Sequence, residues 1–123
     1  MRDFRRKSEE LNELQKSFAD EDYEQTRADF RELLQVPAFR RVLVGIIKKA
    51  RVFGSISMEN TDTNEVMKAI GWRELGVDIY FTANNADGKM VMKAIEERTE
   101  IERDRKARID ILVKNNGTKG NEQ

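Results

Sequence analysis

Apolar residues recur at helical spacing along most of this chain, and the strict apolar–polar alternation of a β-strand is nowhere sustained. The clearest example is residues 37–51, which begin with a proline, a residue suited to the first turn of a helix. One broad apolar face of this segment is formed by Phe39, Val42, Leu43, Ile46, Ile47 and Ala50. The sequence therefore predicts an all-α fold, built as a small helical bundle.

The N-terminal segment has a much narrower apolar stripe. Among charged neighbours, it carries Phe4, Leu11, Leu14 and Phe18. A helix with so thin a stripe is marginal alone in water, so we expect it to dock on another surface. Acidic residues at 20–22 suit the positive end of a helix dipole and favour the start of a second helix there. We therefore expect an amphipathic N-terminal arm over residues 1–22 and a helical core domain over 23–95.

The C-terminal segment is dominated by charge. Ten of the thirteen residues from Glu96 to Arg108 are charged, and acid-to-base pairs such as Asp104–Arg108 stabilise an exposed helix. A short apolar patch that needs a partner then contains Ile109, Ile111, Leu112 and Val113. Glycine- and asparagine-containing sequence follows from Lys114, which is typical of a tail. We expect a long charged helix and a polar tail over residues 96–123.

Turn-forming residues divide the middle of the chain. A loop is predicted to begin at residues 52–55 and to continue through Asn60. Asp62 and Glu65 have the spacing of a capping box, which predicts a helix that begins directly after Asp62. Residues 84–88 have turn chemistry and predict a break before another helix.

Charge is balanced overall but unevenly distributed. The chain has 23 basic and 23 acidic residues, yet residues 36–53 contain five basic residues and no acidic one. The five are Arg40, Arg41, Lys48, Lys49 and Arg51. We expect them to face an acidic partner, for instance residues 1–35 of a second copy. Two alternatives remain, which are the solvated outer face of a helix and a contact with phosphate.

Composition excludes several classes of chemistry. Without cysteine or histidine the chain has no disulfide, zinc finger, thiol nucleophile or histidine base. The carboxylates fall at positions expected to be solvated, and no acid–base pair is identifiable. No apolar run approaches 18 residues, so no membrane segment is expected. We predict no enzymatic activity, no catalytic residue, no cofactor and no metal site.

Short motifs in the middle of the chain resemble a known family. The motifs are Ala28-Asp29-Phe30, Val36-Pro37, Arg40-Arg41-Val42-Leu43, Val52-Phe53-Gly54-Ser55 and Gly71-Trp72-Arg73-Glu74-Leu75-Gly76. Their order and spacing are similar to those of a small family from short-tailed bacteriophages, whose type member comes from a Bordetella phage. The resemblance covers residues 28–81, about half of the chain.

The resemblance implies a small helical protein encoded beside phage portal, capsid and tail genes, with no catalytic residues to carry over. It implies a multi-copy structural or assembly protein at the portal–tail region, or inside the head among the ejected proteins. The expected partners are portal, tail or internal head proteins and further copies of the chain. The expected location is the virion, and the host cytoplasm during assembly.

The candidate partner-binding residues follow from these patterns. They are the basic residues Arg40, Arg41, Lys48, Lys49 and Arg51, together with the apolar residues Phe4, Leu11, Leu14, Phe18, Ile109, Leu112 and Val113. Two other functions use the same residues. The basic helix 37–51 suits non-specific DNA contact through backbone charge. The segment 3–18 or the patch 109–113 suits a small regulator that binds a host protein.

Overall fold

A computed structural model describes residues 2–56 and 62–121, with side chains through residue 117. These residues form three helices, α1 (Arg2–Leu33), α2 (Pro37–Lys49) and α3 (Thr63–Asn121), and contain no strand. The all-α prediction is confirmed. The predicted loop falls partly on residues 57–61, which lie outside the described ranges.

Helix α1 continues without interruption through residues 20–22, so the prediction of a second helix that starts there is wrong. Acidic residues favour a helix start but do not stop a helix that is already formed. The first 36 residues contain neither glycine nor proline, and the Thr26 hydroxyl donates to the Asp22 carbonyl at 2.8 Å within the helix. Nothing in this stretch therefore ends the helix before Leu33.

A tight turn joins α1 to α2. Backbone N–H groups of Leu34 and Val36 donate to the carbonyls of Phe30 and Leu33 at 2.9 Å each. Val36 is extended, as expected for a residue before proline, and Pro37 begins α2 as predicted. Leu34 is fully buried, so the turn is part of the core rather than a surface loop.

Helix α2 buries a face that overlaps the predicted one but is rotated from it, since Leu43, Ile47 and Ala50 belong to the core and Phe39 packs against it. Its buried residues are Arg40, Leu43, Val44 and Ile47, the i, i+3, i+4, i+7 spacing of one helix face. Val42 and Ile46 were expected in the core, and this expectation is wrong because both side chains are exposed. The rotated face is tolerated because the buried Arg40 has hydrogen-bond partners of its own.

Just after α2, Arg51 adopts the left-handed backbone conformation. Arg51 has φ of 55°, and its N–H and that of Val52 donate to the carbonyls of Lys48 and Ile47 at 3.1 and 3.2 Å. This pairing is a Schellman motif, in which glycine usually takes the left-handed position. Val52 and Ile47 both belong to the core, which supplies the apolar contact typical of the motif.

Helix α3 is two helical segments that meet at Asp87. Asp87 is extended, with φ of −160° and ψ of 88°. Its carboxylate accepts the N–H of Met90 at 3.2 Å, the contact of an N-cap residue with the third residue of its helix. The turn predicted over 84–88 is therefore a break at one residue. At the start of α3, Asp62 accepts the N–H of Asn64 at 3.0 Å, which confirms Asp62 as the predicted N-cap. Glu65, the other member of the predicted capping box, lies 3.6 Å from the Lys68 ammonium.

Helix α2 packs against both segments of α3. Its end lies against the first segment at Gly76, where an added Cβ would stand 2.4 Å from the Cβ of Ala50 and 3.1 Å from Val52 Cγ2. Arg40 and Lys48 contact Glu97 and Glu102 of the second segment. The core between the helices consists of Leu34, Leu43, Ile47, Ala50, Val52, Ala83 and Val91.

The close crossing at Gly76 predicts that Gly76→Ala destabilises the protein. Overpacking costs about 1–3 kcal/mol, which exceeds the gain of about 1 kcal/mol in helix propensity. Gly71→Ala is the matched control, because a Cβ there meets nothing within 4 Å. That variant should be more stable by up to about 1 kcal/mol. Urea unfolding followed by circular dichroism measures both, and a shift in the same direction for the two variants contradicts the prediction.

The left-handed residue predicts that Arg51→Gly stabilises the protein by about 0.5–1 kcal/mol, because glycine adopts positive φ without a steric penalty. Arg51→Ala removes the same charge but keeps a Cβ in the strained position, so its stability should stay close to that of the parent chain. Thermal unfolding of the three proteins is the measurement. An equal gain from alanine would assign the effect to charge rather than to backbone conformation.

Candidate interaction surfaces

Arg40 is an interior residue that joins all three helices. Only 6% of its surface is exposed. Its Nε donates to Glu97 Oε1 of α3 at 2.9 Å, and its Nη1 donates to the Leu34 carbonyl in the α1–α2 turn at 2.8 Å. The acidic partner expected for Arg40 is thus a residue of the same chain. Arg40 belongs to the fold rather than to a surface that meets another molecule.

Lys48 is also engaged within the chain. Its ammonium forms an ion pair with Glu102, which in turn accepts the Nε of Arg98 at 3.2 Å. All three side chains are roughly half exposed. Solvent screens such pairs, which contribute little to stability. Lys48 therefore remains accessible at the surface, although its charge is partly compensated.

Arg41, Lys49 and Arg51 remain exposed, and no carboxylate pairs with them among residues 2–56 and 62–117. The ammonium of Lys49 lies 6.0 Å from the ring centroid of Trp72 on α3. That distance is at the outer limit of a cation–π contact. The predicted basic block is therefore divided, with Arg40 inside the fold and the other cations on its surface.

An open groove separates α2 from the segment of α3 that follows Asp87. Its volume is about 560 Å³. Small or apolar residues line its inner part, namely Val44, Gly45, Ala94 and Ile101. Charged residues border it, namely Arg41, Lys48, Lys49, Glu97 and Arg98. Sequence reasoning missed this groove because its walls lie far apart in the chain and come to line one groove only when α2 packs on α3.

The apolar stripe of the N-terminal arm is uncovered. Phe4, Leu11, Leu14 and Phe18 are between 51% and 82% exposed. All described side chains from residue 2 to residue 26 are exposed. The expectation that the N-terminal helix is docked is therefore wrong within a single chain. The arm is a continuation of α1 that projects beyond the core, and helical continuity through Tyr23 holds it there.

The end of α3 projects in the same way, and we call residues 103–117 the C-terminal arm. All of its side chains are exposed, and the apolar patch that includes Ile109, Leu112 and Val113 is 60% to 64% exposed. The long charged helix is confirmed, with an Arg108–Asp104 ion pair at 3.2 Å. The helix continues to Asn121, whereas a tail was expected from Lys114.

Two arginines of α1 donate hydrogen bonds to backbone carbonyls of α3 directly before its break at Asp87. Arg27 Nη2 donates to the Asn85 carbonyl at 3.1 Å, and Arg31 Nε donates to the Ala86 carbonyl at 3.3 Å. These carbonyls lie directly before Asp87, at the negative end of the first segment of α3. Sequence reasoning missed this contact. Its only signal is two arginines four residues apart near the end of α1.

No arrangement of acidic side chains that could hold a metal ion occurs in the described part of the chain. None of the described helices contains an apolar stretch long enough to cross a membrane.

Comparison with known protein families, with curated proteins and with solved structures finds no match to this chain.

The buried ion pair predicts that Glu97→Gln lowers stability by about 1–3 kcal/mol, because it leaves the Arg40 charge uncompensated in the interior. The effect should stay below that of a fully buried pair, since the Glu97 side chain is 35% exposed. Glu96→Gln removes the same charge from the exposed adjacent position and is the control. Equal losses in urea unfolding would show that helix charge, not the Arg40 contact, sets the effect.

Proposed function

We propose that this chain is a non-enzymatic, multi-copy assembly protein of a short-tailed phage particle, and that it acts through contacts made by its helical arms. The observation that carries the proposal is the uncovered apolar stripe of the N-terminal arm. The C-terminal arm supplies a second uncovered patch on the other projecting helix. Both surfaces belong to helices that the core of this chain does not cover.

The physical argument is that such helices gain stability from packing. Most helical stability in proteins comes from burial of an apolar face, and an isolated helix in water is marginal. Burial of a leucine or phenylalanine side chain contributes about 1.5–3 kcal/mol. The four stripe residues Phe4, Leu11, Leu14 and Phe18 therefore offer a contact sufficient for specific association. Contact with another chain supplies the surface that the core does not.

The setting in a phage particle rests on the family resemblance of residues 28–81. Several residues of the matching motifs have roles in the fold. Arg40 forms the buried ion pair, Pro37 begins α2, and Gly76 permits the close helix crossing. These three residues contribute to the arrangement of the helices, which agrees with a structural role for the chain. Portal, tail or internal head proteins are the proposed neighbours.

Contact with nucleic acid is the alternative function. The exposed cations Arg41, Lys49 and Arg51 on and after α2 favour it. Three phosphate contacts give a slope of about −3 in a plot of log affinity against log salt concentration. A DNA-binding titration with a slope near zero rejects this alternative and leaves the assembly role.

The assembly role predicts that the full chain self-associates and that Leu11→Ser with Phe18→Ser weakens the association. Loss of two buried apolar side chains should raise the dissociation constant by about 100-fold or more. Core stability should change little, because both side chains are exposed and lie outside the core. Sedimentation equilibrium measures the association, and thermal unfolding of the dilute protein checks the core.

Asn12→Ser with Ser17→Asn is the control, because at 100° per residue both positions lie away from the stripe. This variant should associate as the parent chain does. A parent chain that is monomeric at all concentrations, and absent from purified particles by mass spectrometry, contradicts the proposed function.

A further inference from the structure

We infer that the groove between α2 and the second segment of α3 binds the acidic part of the N-terminal arm, residues 9–22, from a second copy of the chain. This inference rests on the self-association proposed above and names the surfaces that meet. The two surfaces belong to one sequence, so every copy carries both a ligand and a receptor. The resulting contact is head-to-tail.

The apolar residues of the arm match the groove in length. Leu11, Leu14 and Phe18 have the i, i+3, i+7 spacing of a helix that anchors in a groove. At 1.5 Å per residue, they span about 10 Å of helix axis. The groove walls, residues 41–49 and 94–101, span about 12 Å and about 10 Å on the same scale.

The inner surface of the groove permits a close approach. Gly45 has no atom within 4 Å of the position a Cβ would take, and Ala94 contributes only a methyl group. Val44 is buried at the base of the groove, and Ile101, which is 38% exposed, supplies most of the accessible apolar side-chain surface. Small residues between two helices leave the space that the side chains of a third helix fill.

Charge identifies the occupant. Residues 9–22 contain six carboxylates and one lysine. The border of the groove holds four cations, Arg41, Lys48, Lys49 and Arg98, and one carboxylate. Lys48 and Arg98 share Glu102 of the same chain. The charge of Arg41 and Lys49 is therefore the part most available to an acidic partner.

On a helical projection Glu10 and Glu21 lie together on one side of the apolar stripe and Asp22 lies within it, where these carboxylates can meet the cations. The other three carboxylates of the segment point away from the groove. The tip of the arm, residues 2–7, contains four cations and one carboxylate, which disfavours it as the occupant.

The occupant comes from another copy because α1 is one continuous helix. The first hydrogen bond from α1 to α3 among the described residues is at Arg27. Residues 9–22 begin about 8 Å and end about 27 Å beyond that point along the helix axis. Their side chains are exposed in the single chain, so the arm does not fold back into its own groove.

Gly45→Gln tests the inference by placing a side chain in the groove. The variant should fold, since glutamine has a higher helix propensity than glycine and meets no neighbour at Cβ. It should raise the dissociation constant for self-association by about 100-fold, as expected when an apolar anchor is excluded. Gly71→Gln is the matched control, because Gly71 is equally uncrowded but does not line the groove. It should associate as the parent chain does.

A mixing experiment separates this contact from pairing between arms. The groove variant Gly45→Gln and the arm variant Leu11→Ser with Phe18→Ser should each be monomeric alone. Their mixture should form a 1:1 complex by sedimentation, because the intact arm of one enters the intact groove of the other. Added salt should weaken this complex by screening the charges.

Each other outcome overturns the inference. A Gly45→Gln variant that associates like the parent chain leaves the proposed assembly role intact but rejects the groove. The same holds if the mixture stays monomeric, if Gly71→Gln is as damaging as Gly45→Gln, or if the complex is insensitive to salt. A parent chain that never associates rejects the assembly role and the inference together.

Discussion

The buried guanidinium of Arg40 is the contact on which the arrangement of helices depends. It binds a backbone carbonyl in the α1–α2 turn and a carboxylate on α3, so one side chain fixes the position of α2 relative to both neighbours. A charged group in the interior is tolerated only when its donors are satisfied, and this requirement restricts the geometry more than apolar packing does. The rotation of α2 exposes Val42 and places Gly45 at the groove.

This small core supports long extensions. The buried residues lie between Leu34 and Ala94, whereas α1 begins at Arg2 and α3 continues to Asn121. A core of this size leaves the described side chains of residues 2–26 and 103–117 exposed. The charge balance of the chain then has a structural interpretation. Some opposite charges pair within the fold, as Arg40 with Glu97 and Lys48 with Glu102 do. By contrast, Arg41 and Lys49 beside the groove are exposed and have no carboxylate partner among the described residues.

Local chemistry predicted local structure well. Pro37 begins α2, Asp62 caps α3 and the residues around Asp87 interrupt it, because each feature depends on a few adjacent residues. The buried face of α2 was not predictable in the same way. Two overlapping apolar stripes exist on that helix, and the choice between them depends on a carboxylate 57 residues away that permits burial of Arg40. The exposed stripe of the arm was identified from spacing, but the groove could not be, because it forms only where α2 packs against the second segment of α3.

The packing of α2 against both segments of α3 depends on the break at Asp87. Without it, α3 would be one rod of 59 residues, about 88 Å long, and its two segments could not both contact α2. The guanidinium groups of Arg27 and Arg31 reach the carbonyls just before the break, so the end of α1 stabilises the bent form of α3. The N-terminal arm and that end belong to one continuous helix. A force applied to the arm therefore acts on the bend of α3. Among the described residues, the Arg27 and Arg31 hydrogen bonds are the first contacts with α3 that such a force meets before it reaches the core.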